Sequence, residues 1–211
     1  MIPHKAFYLI RHGETYANIA HISAGGGLDS PLTDRGHEQA MTVGRMMPGL
    51  SLMPSKIIHS SMSRARDTAR HINSAIGLEM EEMDDLKEHL LGEWEGEPWD
   101  AIMPKIIGNE KPRGGESRDE FSARVKQAVS RVLAAHNDDN PPIIVAHGGT
   151  FHAIMHLYGW AYNGPIRNCH LHYFDPHAHH AAFPWRVCQF DPDNDGYNRQ
   201  SAPFCATVFS P

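Results

Sequence analysis

Lys5-Ala6-Phe7-Tyr8-Leu9-Ile10-Arg11-His12-Gly13 and, far downstream, Ile143-Ile144-Val145-Ala146-His147-Gly148-Gly149 follow one plan. Each is a short apolar run closed by histidine and glycine. A run of this length without polar alternation predicts a strand buried on both faces, as in a parallel sheet. Lys56-Ile57-Ile58-His59 reads as a third such strand.

Between these runs lie helical patterns. Thr33 is placed to cap a helix from Asp34 to about Met47, stopped by Pro48-Gly49. Ser63 to Ile76 reads as a second helix, closed by Gly77. Ser117-Arg118-Asp119-Glu120 has the capping-box form and opens a third, with apolar residues at Phe121, Val125, Ala128, Val129, Val132 and Leu133. A fourth runs from Gly148 to about Tyr158. Segments 23–31, 86–99 and 112–115 read as loops, and strands are expected at 170–174, 186–190 and 206–209. Strands alternating with helices predict an α/β fold, a three-layer α/β/α sandwich around a mostly parallel sheet. Ligands of such sheets bind beyond the carboxyl ends of the strands. Two of the three best strands run out there into histidine followed by glycine, at His12 and His147.

The 211 residues carry 19 Lys+Arg against 25 Asp+Glu, a net charge of −6. The acidic balance and the scatter of Lys5, Lys105 and Lys111 speak against a nucleic-acid track. No stretch approaches a membrane span, and no signal peptide is evident. Three cysteines, an odd and low count, argue against a disulfide scaffold and fit a reducing cytoplasm.

Arg11-His12-Gly13-Glu14-Thr15 has the makings of an anion site. Glycine lets the backbone approach a phosphate, a helix start offers N–H donors, and arginine binds phosphoryl oxygens bidentately. Taken alone, the pentapeptide fits equally a buried histidine beside a surface arginine. More segments then line up. Asp29-Ser30-Pro31-Leu32-Thr33 comes with Gly36, Gln39 and Ala40. Ser60 to Arg64-Ala65 comes with Thr68-Ala69. Leu86-Lys87-Glu88 precedes Gly92-Glu93-Trp94-Glu95-Gly96. Gly114-Gly115-Glu116-Ser117 comes with Phe121 and Arg124, and His147-Gly148-Gly149 closes the series. Six motifs in this order, spread over residues 5–160, resemble the histidine phosphatase superfamily, the phosphoglycerate-mutase-like proteins.

The resemblance implies a phosphoglycerate-mutase-like fold and roles for particular residues. His12 would be the nucleophile that takes the phosphoryl group. Arg11, Arg64 and His147 would surround its oxygens, with Gly13 and the donor Asn18 completing the substrate-binding set. Glu88 would protonate the leaving oxygen. Glu81, Glu82, Glu93 and Glu95 compete with Glu88 on sequence grounds, and only the family register selects it. The expected enzyme is a phosphomonoesterase of the histidine acid phosphatase type. It would act on a small phosphorylated metabolite through a phosphohistidine. No cofactor or metal is called for, because cationic side chains take the part of a divalent ion. The alternatives are a phosphoglycerate-type mutase and a silent phosphate-ester-binding protein. The short span from Glu88 to His147 favours the phosphatase. The reading treats residues 1–211 as one domain in which 175–211 form an extension without an assigned role. It places the protein in the cytoplasm, with no nucleic-acid or membrane partner, and allows a homodimer.

The sequence has 16 histidines. His170, His172, His177, His179 and His180 are dense enough for a metal, although no spacing completes a known motif. His152 and His156 share a helix face and read as pocket-wall or structural residues. Asp191-Pro192-Asp193-Asn194-Asp195-Gly196 starts like a calcium loop, but Ala202 stands where its last ligand belongs, so it reads as a turn.

Overall fold

The computed structural model describes residues 1–159, 166–176 and 183–190, together with the backbone of 204–205. Seven strands form one sheet: β1 (Phe7–Arg11), β2 (Lys56–Ser60), β3 (Glu79–Met83), β4 (Ile143–Ala146), β5 (Leu171–Pro176), β6 (Trp185–Phe190) and β7 (Phe204–Cys205), in the order β3-β2-β4-β1-β5-β6-β7. The first four strands along the sheet run parallel, and β5, β6 and β7 are added antiparallel. The sheet is therefore mixed, and its parallel half is the one expected from the sequence.

The helices are α1 (Tyr16–Ile19), α2 (Asp34–Met46), α3 (Ser63–Asn73), α4 (Trp99–Ile107), α5 (Arg118–Ala135) and α6 (Gly148–Leu157). Alternate strand residues face opposite sides, which separates the core into two layers. Phe7, Leu9, Ile58, Ile144 and Ala146 pack with α5 and α6 through Val125, Val129, Phe151 and Ile154. Tyr8, Ile10, Ile57, Ile143 and Val145 pack with α2 and α3 through Ala40, Val43, Ala65 and Ile72. This is the three-layer sandwich.

Thr33 caps α2 by accepting from the Gly36 N–H, and Ser117 and Glu120 close a full capping box on α5. Three elements have no counterpart in the sequence reading. Strand β3 is Glu-Met-Glu-Glu-Met, largely exposed and at the sheet edge, so it carries no buried-strand signal. Helix α4 holds Pro104 and packs on a small separate cluster of Leu91, Trp94 and Ile102. Helix α1 has only four residues. His177, His179, His180, the segment 191–196, Ala202 and the strand expected at 206–209 lie outside the described residues.

Candidate active site

The parallel strands bring their carboxyl ends together. Arg11 pairs with Ala146 across β1 and β4, and the His12 N–H continues the ladder to the Ala146 carbonyl at 3.0 Å. His12 and His147 are thus the first residues beyond two adjacent strands, with ring centroids 5.3 Å apart. Both are buried, His147 completely. Ser60, the last residue of β2, supplies a hydroxyl 2.9 Å from His147 Nε2.

His12 Nδ1 lies 2.8 Å from the Gly13 carbonyl. A carbonyl only accepts, so Nδ1 carries the proton and Nε2 keeps its lone pair. Burial, then the positive charges of Arg64 and Arg11, push the His12 pKa well below the ordinary value. The same forces, with His12 added, act on His147. Both rings are therefore neutral near pH 7.

Gly13 is needed for contact rather than conformation. A Cβ there would stand 2.4 Å from the Gly36 carbonyl oxygen, and a Cβ on Gly36 would stand 2.1 Å from that of Glu14. The Gly13 N–H is bonded to Thr68 Oγ1, which in turn donates to the Arg64 carbonyl. The backbone behind His12 is thereby fastened to α2 and α3.

Arg11 donates to the Ile166 carbonyl at 2.6 Å. Arg64, 2 % exposed, is held by the carbonyls of Gly25 and Leu28 and by Asp29. Burial lowers the pKa of both guanidiniums, and Glu88 opposes the shift in each. Asn18 Oδ1 accepts from the Thr15 N–H and from Asn168 Nδ2, which also donates to the His12 carbonyl. Arg11 Nε and His147 Nδ1 are buried and bonded to none of the described residues. Leaving buried polar atoms unsatisfied costs about 1–3 kcal/mol each, and an anion between these groups would satisfy them.

Glu88, 8 % exposed, comes from a loop. Its Oε2 accepts from the Gly149 N–H at the start of α6 and its Oε1 from the His89 N–H. A Cβ on Gly149 would stand 2.0 Å from Glu88 Oε1, so only glycine lets the carboxylate sit there. Arg124 holds the loop, donating to the carbonyls of Asp85, Lys87 and Glu88 while gripping Glu116 with two nitrogens. Burial alone would raise the Glu116 pKa, but the bond to Arg124 overrides it and the net shift is downward.

The rival carboxylates stand apart from this arrangement. Glu81 and Glu82 lie exposed on β3, Glu93 bonds the Arg113 N–H, and Glu95 Oε1 ties Gly27 to Leu91. His172 is a core residue. Its ring meets Phe151 edge-on, and burial pushes its pKa down to about 3. Among the described residues, no group of three His, Cys, Asp or Glu is arranged to hold a metal, and no helix is long and apolar enough to cross a membrane.

Arg11, His12, Gly13, Asn18, Arg64, Glu88 and His147 thus converge at one end of the sheet. Sequence reasoning had no part for Asn168 or His89 in this assembly, because their contacts are tertiary.

Residues 7–183 match the histidine phosphatase superfamily (branch 1). A probable phosphoglycerate mutase, GpmB of Salmonella choleraesuis (strain SC-B67), is 33% identical over 182 residues, 80% of this chain and 83% of that protein. The uncharacterized phosphatase PhoE of Bacillus subtilis (strain 168) is 33% identical over 150 residues, 71% of this chain and 75% of its own. Among solved structures, a mycobacterial glucosyl-3-phosphoglycerate phosphatase in complex with VO3 superposes with a TM-score of 0.69 at 26% identity, covering 87% of this chain and 97% of that one. YhfR of Bacillus stearothermophilus gives 0.70 at 25% identity, covering 82% and 92%.

Proposed function

This chain belongs to the histidine phosphatase superfamily, and from that premise we propose that it is a phosphomonoesterase acting through a phosphohistidine at His12. The observation that carries the reading is the 2.8 Å contact between His12 Nδ1 and the Gly13 carbonyl. The Gly13 carbonyl accepts a hydrogen bond from the protonated Nδ1, which leaves the Nε2 lone pair for attack.

In the first step Nε2 bonds to phosphorus and the ester P–O bond breaks. Glu88, protonated at this stage, gives its proton to the leaving oxygen. Arg11, Arg64, His147 and the Asn18 amide stabilise the charge on the three phosphoryl oxygens, the main demand of phosphoryl transfer. In the second step Glu88, now a carboxylate, takes a proton from water. The water oxygen bonds to phosphorus, the N–P bond breaks and phosphate leaves. Because burial and the arginines keep His12 neutral, the nucleophile remains competent below pH 6.5, which supports an acid-tolerant activity. A small phosphorylated metabolite is the substrate class.

The test is hydrolysis of a chromogenic aryl phosphate in chelator, from acid to neutral pH. We expect turnover in the wild type and none above background in His12→Ala. Glu88→Gln should slow alkyl phosphates by about 10²- to 10⁴-fold and aryl phosphates much less. Equal slowing of both would remove Glu88 as the acid. A mutase reading rests on the probable phosphoglycerate mutase among the relatives. It requires the phosphoryl group to pass to an added alcohol in preference to water.

A further inference from the structure

We propose that Asn168 is a positioning residue for phosphoryl transfer. It clamps the carboxamide of Asn18 to the backbone of His12, so that the NH2 end of Asn18 is offered to the phosphoryl oxygens. This rests on the phosphatase reading of the site.

The amide directions follow from groups that can play one part only. The His12 carbonyl can only accept. Its partner at 2.9 Å is therefore the NH2 nitrogen of Asn168, Nδ2. The second hydrogen of that nitrogen goes to the Asn18 side chain at 3.1 Å, so the atom it meets is the oxygen, Oδ1. The Thr15 N–H can only donate, and it reaches the same oxygen at 3.1 Å. Two donors thus agree on one orientation of Asn18. Its own NH2 end makes no hydrogen bond among the described residues. An amide whose oxygen is held twice and whose nitrogen is unengaged is set to donate to a ligand.

The Thr15 bond alone is a weak anchor. Thr15 and Asn18 belong to the cap and body of α1, a helix of four residues, and so short a helix is marginal by itself. Two of its four side chains, Tyr16 and Ile19, are exposed, so little packing steadies it. Asn168 instead refers Asn18 to the end of β1, where the nucleophile sits.

The segment that bears Asn168 is shaped for this duty. The Cys169 N–H takes the Arg11 carbonyl at 3.0 Å, and Asn168 takes the next carbonyl along, that of His12. The Ile166 carbonyl accepts from the Arg11 guanidinium. Buried Cys169 has a φ of 57°. This left-handed conformation is uncommon in a residue other than glycine. Backbone strain of this kind clusters at functional sites, and here it lies directly beside the clamp.

The test is a double-mutant cycle on the full chain: Asn18→Ala, Asn168→Ala and the two together. It reads kcat and KM on an aryl phosphate, and inhibition constants for inorganic phosphate and for orthovanadate, which can adopt the five-coordinate form of the transition state. Loss of one hydrogen bond to a charged group corresponds to about 10- to 100-fold. We expect that loss in kcat and in vanadate affinity for Asn18→Ala. Asn168→Ala should show much of it with KM little changed, and the double variant should be no worse than Asn18→Ala. Asn168→Asp is the same size, and it carries the test should Asn168→Ala fail to fold. As a carboxylate it accepts only, so its deficit against the wild type should shrink as the pH falls and the carboxyl regains a proton to donate. Losses that multiply in the double variant overturn the proposal. Wild-type kcat in Asn168→Ala does the same, as does a deficit in Asn168→Asp that ignores pH. If the wild type turns nothing over, the phosphatase reading fails, and the cycle read in vanadate affinity still decides whether Asn168 acts through Asn18.

Discussion

The floor of the pocket and its acid-bearing wall hold their reactive groups by different means. His12, His147 and Ser60 sit where β1, β4 and β2 end, and main-chain register sets their spacing. Moving one would mean slipping a strand, which would turn its core residues outward. Glu88 belongs to no strand or helix. It is held by the Gly149 N–H, by the His89 N–H and by Arg124 reaching over from α5. The comparison teaches that the phosphoryl-binding half of the site is as robust as the sheet, whereas the proton-donating half depends on a few side chains and can be lost without unfolding.

The largest expected effect on this contrast is at Gly149. In Gly149→Ala the new Cβ cannot coexist with Glu88 Oε1, so the carboxylate must leave. We expect kcat on alkyl phosphates to fall about 10²-fold or more, in line with loss of a general acid, while inhibition by inorganic phosphate changes little. Equal damage to phosphate affinity would mean that floor and wall are one unit.

Arg124→Leu comes next. It removes the ties to residues 85–88 and leaves Glu116 half-buried without its partner. We expect a loss of about 1–3 kcal/mol in unfolding free energy and roughly 10- to 100-fold in kcat, read by denaturant titration beside steady-state kinetics. Normal kinetics in a destabilised variant would show that the loop holds itself.

Ser60→Ala probes the floor through one hydroxyl. Removing the Nε2 partner of buried His147 should lower kcat about tenfold, with Ser60→Thr recovering part of the loss. A change in KM alone would assign Ser60 to ground-state binding.

A separate effect is on stability. Burial holds His12 and His147 well below the ordinary histidine value and His172 at about 3. Below about pH 6.5 the unfolded chain binds protons that the folded protein refuses. Stability is therefore full above that pH and falls as the pH drops toward the folded values, by at most ~1.4 kcal/mol per group per pH unit. Melting temperatures at pH 7.5 and 5.5 should show the decline, and His172→Phe should lessen it. A melting temperature that rose on acidification would contradict the assigned neutral forms.

The same division explains what was legible in the sequence. Phe7–Ile10 and Ile143–Ala146 announce themselves because strands buried on both faces are written as unbroken apolar runs, and the histidines that follow them inherit their places. Glu88 could be separated from Glu93 and Glu95 only by resemblance, because a loop carries no periodicity to orient its side chains. Asn168 had no local signal. Its partners, the His12 carbonyl and Asn18, lie more than a hundred residues earlier. β3 stayed hidden because an exposed edge strand has no core face to read.

The antiparallel addition of β5 to β1 has a kinetic consequence. The contacts that finish the setting of Arg11 and His12 come from the Ile166 carbonyl, the Asn168 amide and the Cys169 N–H. The first two span 155 and 156 residues. Long closures of this kind form slowly and late. A ribosome will have made most of the polypeptide before the nucleophile is fully seated, and an abortive product ending before residue 166 would carry His12 without the clamp that completes its surroundings.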